Sequence, residues 1–210
     1  MKRNLLLIAI MILGALTVSA KKVKVTIDGR TSPSQTKLYL IINEDTANAV
    51  RVPINDAQFS ITVKVDRNAF IRLHDWKQWP ERSVFVLIPD SKHITIDWNS
   101  GSIEGSPMSK KLQSAMHDAR MNDPGSFHID VFSDNPEAWQ EARIRERSIR
   151  ESMENRQRED IMQVIRDNSD SNIAAWVYFC LRPKLIVPIE YITNGTHPKW
   201  MDHPILKIKQ

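Results

Sequence analysis

The sequence predicts a mixed α+β fold, with a β-rich front and a helical rear, on three observations. Apolar residues recur at every second position in short runs from Lys22 to Trp98, that period ends at Gly105, and no Gly or Pro interrupts the chain from Glu137 to Asn168. A period of two marks a strand with one buried and one wet face, and a long run without breakers marks a helix. The expected architecture is an antiparallel β-sandwich or open barrel of about seven strands over residues 21–105, with a helical region over 106–210 packed on it.

Residues 1–20 read as a secretory leader. Lys2 and Arg3 precede an apolar run from Leu5 to Leu16, and Thr17-Val18-Ser19-Ala20 supplies the small residues at which a signal peptidase cuts. That run is shorter than the roughly 20 residues a membrane span needs, so cleavage after Ala20 is expected and no stable membrane insertion afterwards. The expected address is the periplasm or the secreted fraction. Removing Lys2 and Arg3 lowers the formal charge of the 210-residue chain from +4 to +2, a balance that gives no electrostatic case for nucleic acid. At 41% hydrophobic and 26% charged residues the chain is globular in composition and long enough for its own core.

Three stretches alternate cleanly: Val23, Val25 and Ile27; Phe59, Ile61, Val63 and Val65; and Ile94, Ile96 and Trp98. Lys37 to Ile42 and Ser83 to Ile88 are apolar more continuously and fit central strands, and Ala49 to Ile54 and Ala69 to His74 complete the count. Asp28-Gly29, Asn55-Asp56 and Asn99-Ser100-Gly101 provide turns, and the stretch "GSIEGS" reads as a further turn.

After Gly105, Ser106-Pro107 has the form of a cap and first helical residue, opening a helix over Met108 to Met121. Asn122 to Ser126 breaks it, and Phe127 to Phe132 is either a strand or a packed loop. Asn135-Pro136-Glu137 starts the long helix. Between Glu141 and Asp160 it carries six arginines and six acids, with Glu141–Arg145, Glu146–Arg150 and Glu154–Arg158 at the favourable four-residue spacing. Ala138, Trp139, Ala142, Ile149, Met153 and Val164 form a narrow apolar stripe that would dock it along one edge. Asp170-Ser171 caps a helix over Asn172 to Leu181 that is apolar all round and therefore buried. The single cysteine, Cys180, lies in it and reads as a small core hydrophobe, because reactive thiols sit in exposed, electropositive places.

Little catalytic chemistry is legible. His197 and His203 flank Asp202 in the tail, and His117 and His128 flank a break, but no zinc spacing results, so no metal and no cofactor is expected. In "GSIEGS" the middle position of the nucleophile-elbow spacing is Ile103. Asn194-Gly195-Thr196 matches a glycosylation sequon. The most suggestive stretch is "HDWKQWP", where His74, Trp76, Lys77 and Trp79 lie between two strands. Its tryptophans would either form a platform for a sugar ring or apolar partner, or fold back to close the sandwich.

Read together, "VKVTIDG", "TKLYLI", "AQFSITVKV", "AFIRL", "SVFVLIPDSKHITIDW", "IEGSPMSKKLQ" and "VIRDNSDSNIAAWVYFCL" resemble a domain of unknown function. That domain often precedes a thioredoxin-like domain in exported proteins of the Bacteroides group. The resemblance spans nearly all of the chain after the leader. It implies a β-rich front, helices behind and a cell-envelope address, and it carries no catalytic residues over to these positions. No Cys-x-x-C pair occurs here, which removes the thiol chemistry of the fused relatives. The expected function is a non-catalytic binding or protein-interaction module with an envelope protein or glycan as partner. The alternatives are an envelope hydrolase acting on glycan or peptide, or an accessory to a separate thioredoxin-like protein.

Overall fold

The computed structural model describes residues 22–74, 85–125 and 127–208, so the expected leader lies outside the described residues. Eight strands run β1 (Lys22–Arg30), β2 (Leu38–Ile42), β3 (Val50–Val52), β4 (Gln58–Asp66), β5 (Ile71–His74), β6 (Phe85–Leu87), β7 (His93–Asp97) and β8 (Ser102–Glu104). Helices α1 (Pro107–Asp118), α2 (Pro136–Asp167), α3 (Asn172–Leu181) and the short α4 (Ile189–Ile192) follow. The fold is mixed α+β, as the change of period predicts.

The strands form two four-stranded sheets, ordered β4-β1-β7-β8 and β3-β2-β5-β6, and no barrel closes. Val25, Ile27, Ile94 and Ile96 of the first sheet meet Leu38, Leu40, Ile71, Leu73 and Leu87 of the second in one apolar core. Two departures from the expected layout stand out. The pairing of β1 with β7 is parallel, with Thr26 opposite His93, so the first sheet is not wholly antiparallel. The expected turn "GSIEGS" contains an eighth strand, in which Ile103 is buried opposite Ile96.

The alternation of β1, β4 and β7 follows from their layer, since the outer face of the first sheet is wet. Of the two continuously apolar runs, β2 is the interior strand expected, and β6 is not. Among the described residues β6 is an edge strand, but β5 and β6 lie in a middle layer, with the sandwich core on one face and helices on the other, whereas β3 keeps an exposed face. A second core forms there, where Phe70 and Ile88 meet Leu112 of α1, Ile161 and Ile165 of α2, and Ala175, Trp176 and Phe179 of α3.

Two glycines are required by close approach. The Phe59 ring lies over its cross-strand partner Gly29, where an added Cβ would sit 2.5 Å from the ring and 2.6 Å from the Ile96 carbonyl oxygen. Gly105, at φ +80°, turns the chain from β8 into α1 directly against the His93 carbonyl. Ser106 then caps α1 as its sequence predicts, accepting from the Ser109 N–H at 3.1 Å, and Asp90 accepts from the Met108 N–H at 2.8 Å. These contacts tie the helical layer to the loop after β6. Substituting Ser or Asp at such a cap typically costs about 1 kcal/mol.

Asn135 caps α2 through the Glu137 N–H at 2.9 Å, with Pro136 in the first turn. Ser171 sits at the start of α3 but does not cap it with its side chain; its hydroxyl donates instead to the Asn168 carbonyl at 3.1 Å. Phe127 to Phe132 is a loop. The expected docking stripe of α2 is also corrected. Its buried residues are Gln157, Ile161 and Ile165, one face at four-residue spacing in the C-terminal part alone, whereas Trp139 is exposed. Of the expected ion pairs, Glu146–Arg150 (3.2 Å) and Glu154–Arg158 (3.6 Å) form, and Glu141–Arg145 does not.

Candidate functional site

Strand β5 carries the first sequence-predicted site residue. Its Ile71 and Leu73 face the sandwich core, so Arg72 and His74, of opposite parity, face the helical layer. His74 is fully buried opposite Tyr39 and is not displayed at the surface. Trp76, Lys77 and Trp79 lie outside the described residues.

The strand that buries His74 also buries an arginine. The turn after β2 holds Asn43 and Glu44 in the left-handed region, at φ 47° and 59°, a conformation that Asn tolerates and Glu seldom adopts. Asn43 is locked there by the Phe70 N–H, which donates to its side-chain oxygen at 2.9 Å. That twist lays the Glu44 carboxylate over β5, where Arg72 Nε donates to it at 2.8 Å. The side chains are only 1% and 8% exposed. Burial raises the Glu44 carboxyl above the ordinary carboxylate range, against the opposing pull of the Arg72 charge and hydrogen bond.

Cys180 of α3 lies within reach of these charges. Its side chain keeps some solvent contact, yet burial of the sulfur pushes the thiol up to about 12. A thiol so shifted is protonated at neutral pH, which slows its attack as a nucleophile. A bulky maleimide should therefore label Cys180 in the native protein at pH 7 more than about a hundredfold more slowly than in denaturant, since the thiolate fraction falls tenfold per unit of pKa. Equal rates with the fold intact by circular dichroism would refute this assignment.

The described histidines are engaged elsewhere or exposed. Ile205 N–H donates to His203 Nδ1 at 3.2 Å, which leaves Nε2–H to donate to the Asn68 carbonyl at 2.7 Å. Burial lowers the pKa of this imidazole, and the ring staples the C-terminal tail to the β4–β5 loop. His197 pairs with Asp202 at 3.0 Å on the surface, and His128 with Glu146 at 3.0 Å. Among the described residues no group of three His, Cys, Asp or Glu converges to hold a metal ion.

Recognition surfaces lie elsewhere. At about 1.5 Å per residue α2 is about 48 Å long, and only its C-terminal part is buried on the body. The preceding loop folds back along the rest: Glu146 accepts from the Ile129 N–H at 3.3 Å, and Trp139 Nε1 donates to the Ser133 carbonyl at 2.6 Å. The Ile129 N–H, helped by Arg150 and His128, holds the Glu146 carboxyl below its ordinary range. The arm exposes Ile144 (62%) and part of the bracing Trp139 (43%), and the loop before it exposes Phe132 (97%). Trp139 also lines an open cleft of about 590 Å³ with Asp134, Pro136, Gln140 and Arg143. A second groove, of about 310 Å³, lies between the end of α2 and the turn after α4.

Sequence reasoning missed the Arg72–Glu44 pair, although "FIRLH" places an arginine inside an otherwise apolar strand, a signal that the residue is buried and partnered. It also assigned Trp139 to a buried stripe. No helix among the described residues is long and apolar enough to cross a membrane. Comparison with family models, with curated proteins and with solved structures finds no match to this chain.

Proposed function

We propose that the protein is a non-catalytic interaction module of the cell envelope, exported by the leader over residues 1–20, and that the N-terminal half of α2 is its contact surface. One observation carries this reading: Trp139 and Ile144 stand exposed on a helical arm that buries little against its own body, and Phe132 stands exposed in the loop that precedes it. Exposed aromatics beside arginine are the residue types that anchor protein interfaces. Arg143, Arg145 and Arg147 on the same arm are balanced by Glu137, Glu141 and Glu146, so the rim of the contact is of mixed charge. The resemblance to a domain found beside thioredoxin-like domains makes an envelope protein of that class a candidate partner. A hydrolase would need two carboxyls about 5 to 9.5 Å apart in one cleft. Among the described residues Asp134 alone supplies a carboxyl to the arm cleft, and none lines the second groove.

The test is a photo-crosslinking amino acid placed at Ile144, or at Ser60 on the wet face of the first sheet, in cells that make the protein. Ile144 should give a discrete heavier adduct that Ser60 does not. Adding Phe132→Ser and Trp139→Ser should abolish it while costing about 1 kcal/mol of stability, chiefly from the lost Trp139 bond to Ser133, with the fold intact by circular dichroism. Identical adduct patterns at the two positions, or an adduct that survives the double change, would refute the arm as the contact surface.

A further inference from the structure

The 310 Å³ groove carries an inference independent of the arm. Its volume falls within the range of small-ligand sites, about 300–1,000 Å³. Arg166, in the last turn of α2, lines it. Its Nε donates to the Ile192 carbonyl at 3.2 Å, which fixes the plane of the guanidinium. Neither terminal nitrogen has an acceptor among the described residues, so the forked face remains available. The opposite wall is the turn Thr193–Thr196. Asn194 and Gly195 there adopt φ 52° and 71°, and the turn is closed by Gly195 N–H to the Glu190 carbonyl at 2.8 Å and by Thr196 Oγ1 to the Thr193 carbonyl at 2.6 Å.

Trp200 also lines the groove. It is 2% exposed, and its indole N–H has no acceptor among the described residues. Buried donors are nearly always satisfied, by protein, water or ligand, so an unmatched one beside a groove points to an acceptor supplied from outside the chain. Ile165, Ile192 and Pro198 supply apolar lining, and Ser169 adds a hydroxyl beside Arg166. Arg166 is the only charged residue among those lining the groove, which suits a single negative charge and disfavours a phosphate or diphosphate. A guanidinium fork matches the two oxygens of a carboxylate.

We infer that this groove binds a small organic carboxylate with a compact apolar body, its carboxylate held by Arg166 and accepting from the Trp200 indole N–H, and its body lying against Ile192 and Pro198. The arginine also offsets the negative end of the α2 dipole, a role that leaves its terminal nitrogens available.

Phenylacetate serves as the probe and phenylacetamide as its neutral isostere, titrated into the ¹⁵N-labelled full chain. The indole N–H resonance of Trp200, assigned through Trp200→Phe, is the readout. It should shift saturably with phenylacetate, with an affinity at least about tenfold weaker for the amide and for Arg166→Gln, as loss of one charge-assisted pair entails. No saturable shift up to about 20 mM phenylacetate, which is beyond the weak end of ligand affinities, or equal binding of acid and amide, would overturn the inference. So would a folded Arg166→Gln variant that binds like the wild type. Should that variant not fold, the contrast between acid and amide on the unaltered protein decides.

Discussion

Glu44→Ala should destabilise the protein by about 3–5 kcal/mol, because it removes a buried carboxylate that accepts from Nε of the fully buried Arg72. The cost falls on the arginine, which cannot shed its charge as a buried lysine or histidine does. The pair itself contributes much less. Burial raises the Glu44 carboxyl despite Arg72 beside it, so desolvation outweighs the attraction. Replacing both residues together, as Glu44→Leu with Arg72→Met, should therefore recover most of the loss. Urea denaturation of the two variants checks the claim, and a single-variant loss under about 1 kcal/mol would contradict it. The pH dependence has a definite sign. A carboxyl raised in the folded state holds its proton more tightly there than in the unfolded chain. The stability linked to Glu44 is thus fully present below the ordinary 4.5 and is lost as the pH rises through the folded value. Glu44→Gln should remove that decline.

Trp176→Ala should cost about 3–5 kcal/mol by emptying the centre of the core between the second sheet and the helices. Trp176 is 1% exposed, with ring centroids 4.8 Å from Phe70 and 5.9 Å from Phe179. His203 packs on the other side of this group, 4.9 Å from Phe70, so the cavity would also loosen the tail. Trp139→Ala changes the same residue type on the arm, where it loses one hydrogen bond to Ser133 and partial cover, and should cost only about 1 kcal/mol. Equal losses at the two positions would mean that the layer assignment is wrong.

The contrast between these tryptophans shows what the sequence could and could not disclose. Strands with one wet face announce themselves by period, which is why β1, β4 and β7 were legible. β8 was not, because three residues, Ser102–Glu104, are too few to establish an alternation and its flanking glycines signal a turn. The caps Ser106 and Asn135 were legible because their chemistry is local. Which face of α2 docks was not, since Trp139 and Ile161 are both large apolar residues and only the length of the body beneath the helix separates them. The Arg72–Glu44 pair depends on a left-handed turn at Asn43 and Glu44 that no residue preference demands. His74 was singled out for its place beside two tryptophans, whereas strand parity decides where its side chain goes.

The parallel pairing of Thr26 with His93 also constrains the order of assembly. The first strand made is an interior strand of its sheet, with β4 on one side and β7 on the other. Half of its ladder must wait for a segment synthesised much later, and long-range pairing of this kind slows folding while an unsatisfied backbone edge stays open to other chains. A nascent copy is thus vulnerable to misassociation until residues 93–97 have emerged, and conditions that delay that stretch should raise aggregation without altering the stability of the finished molecule.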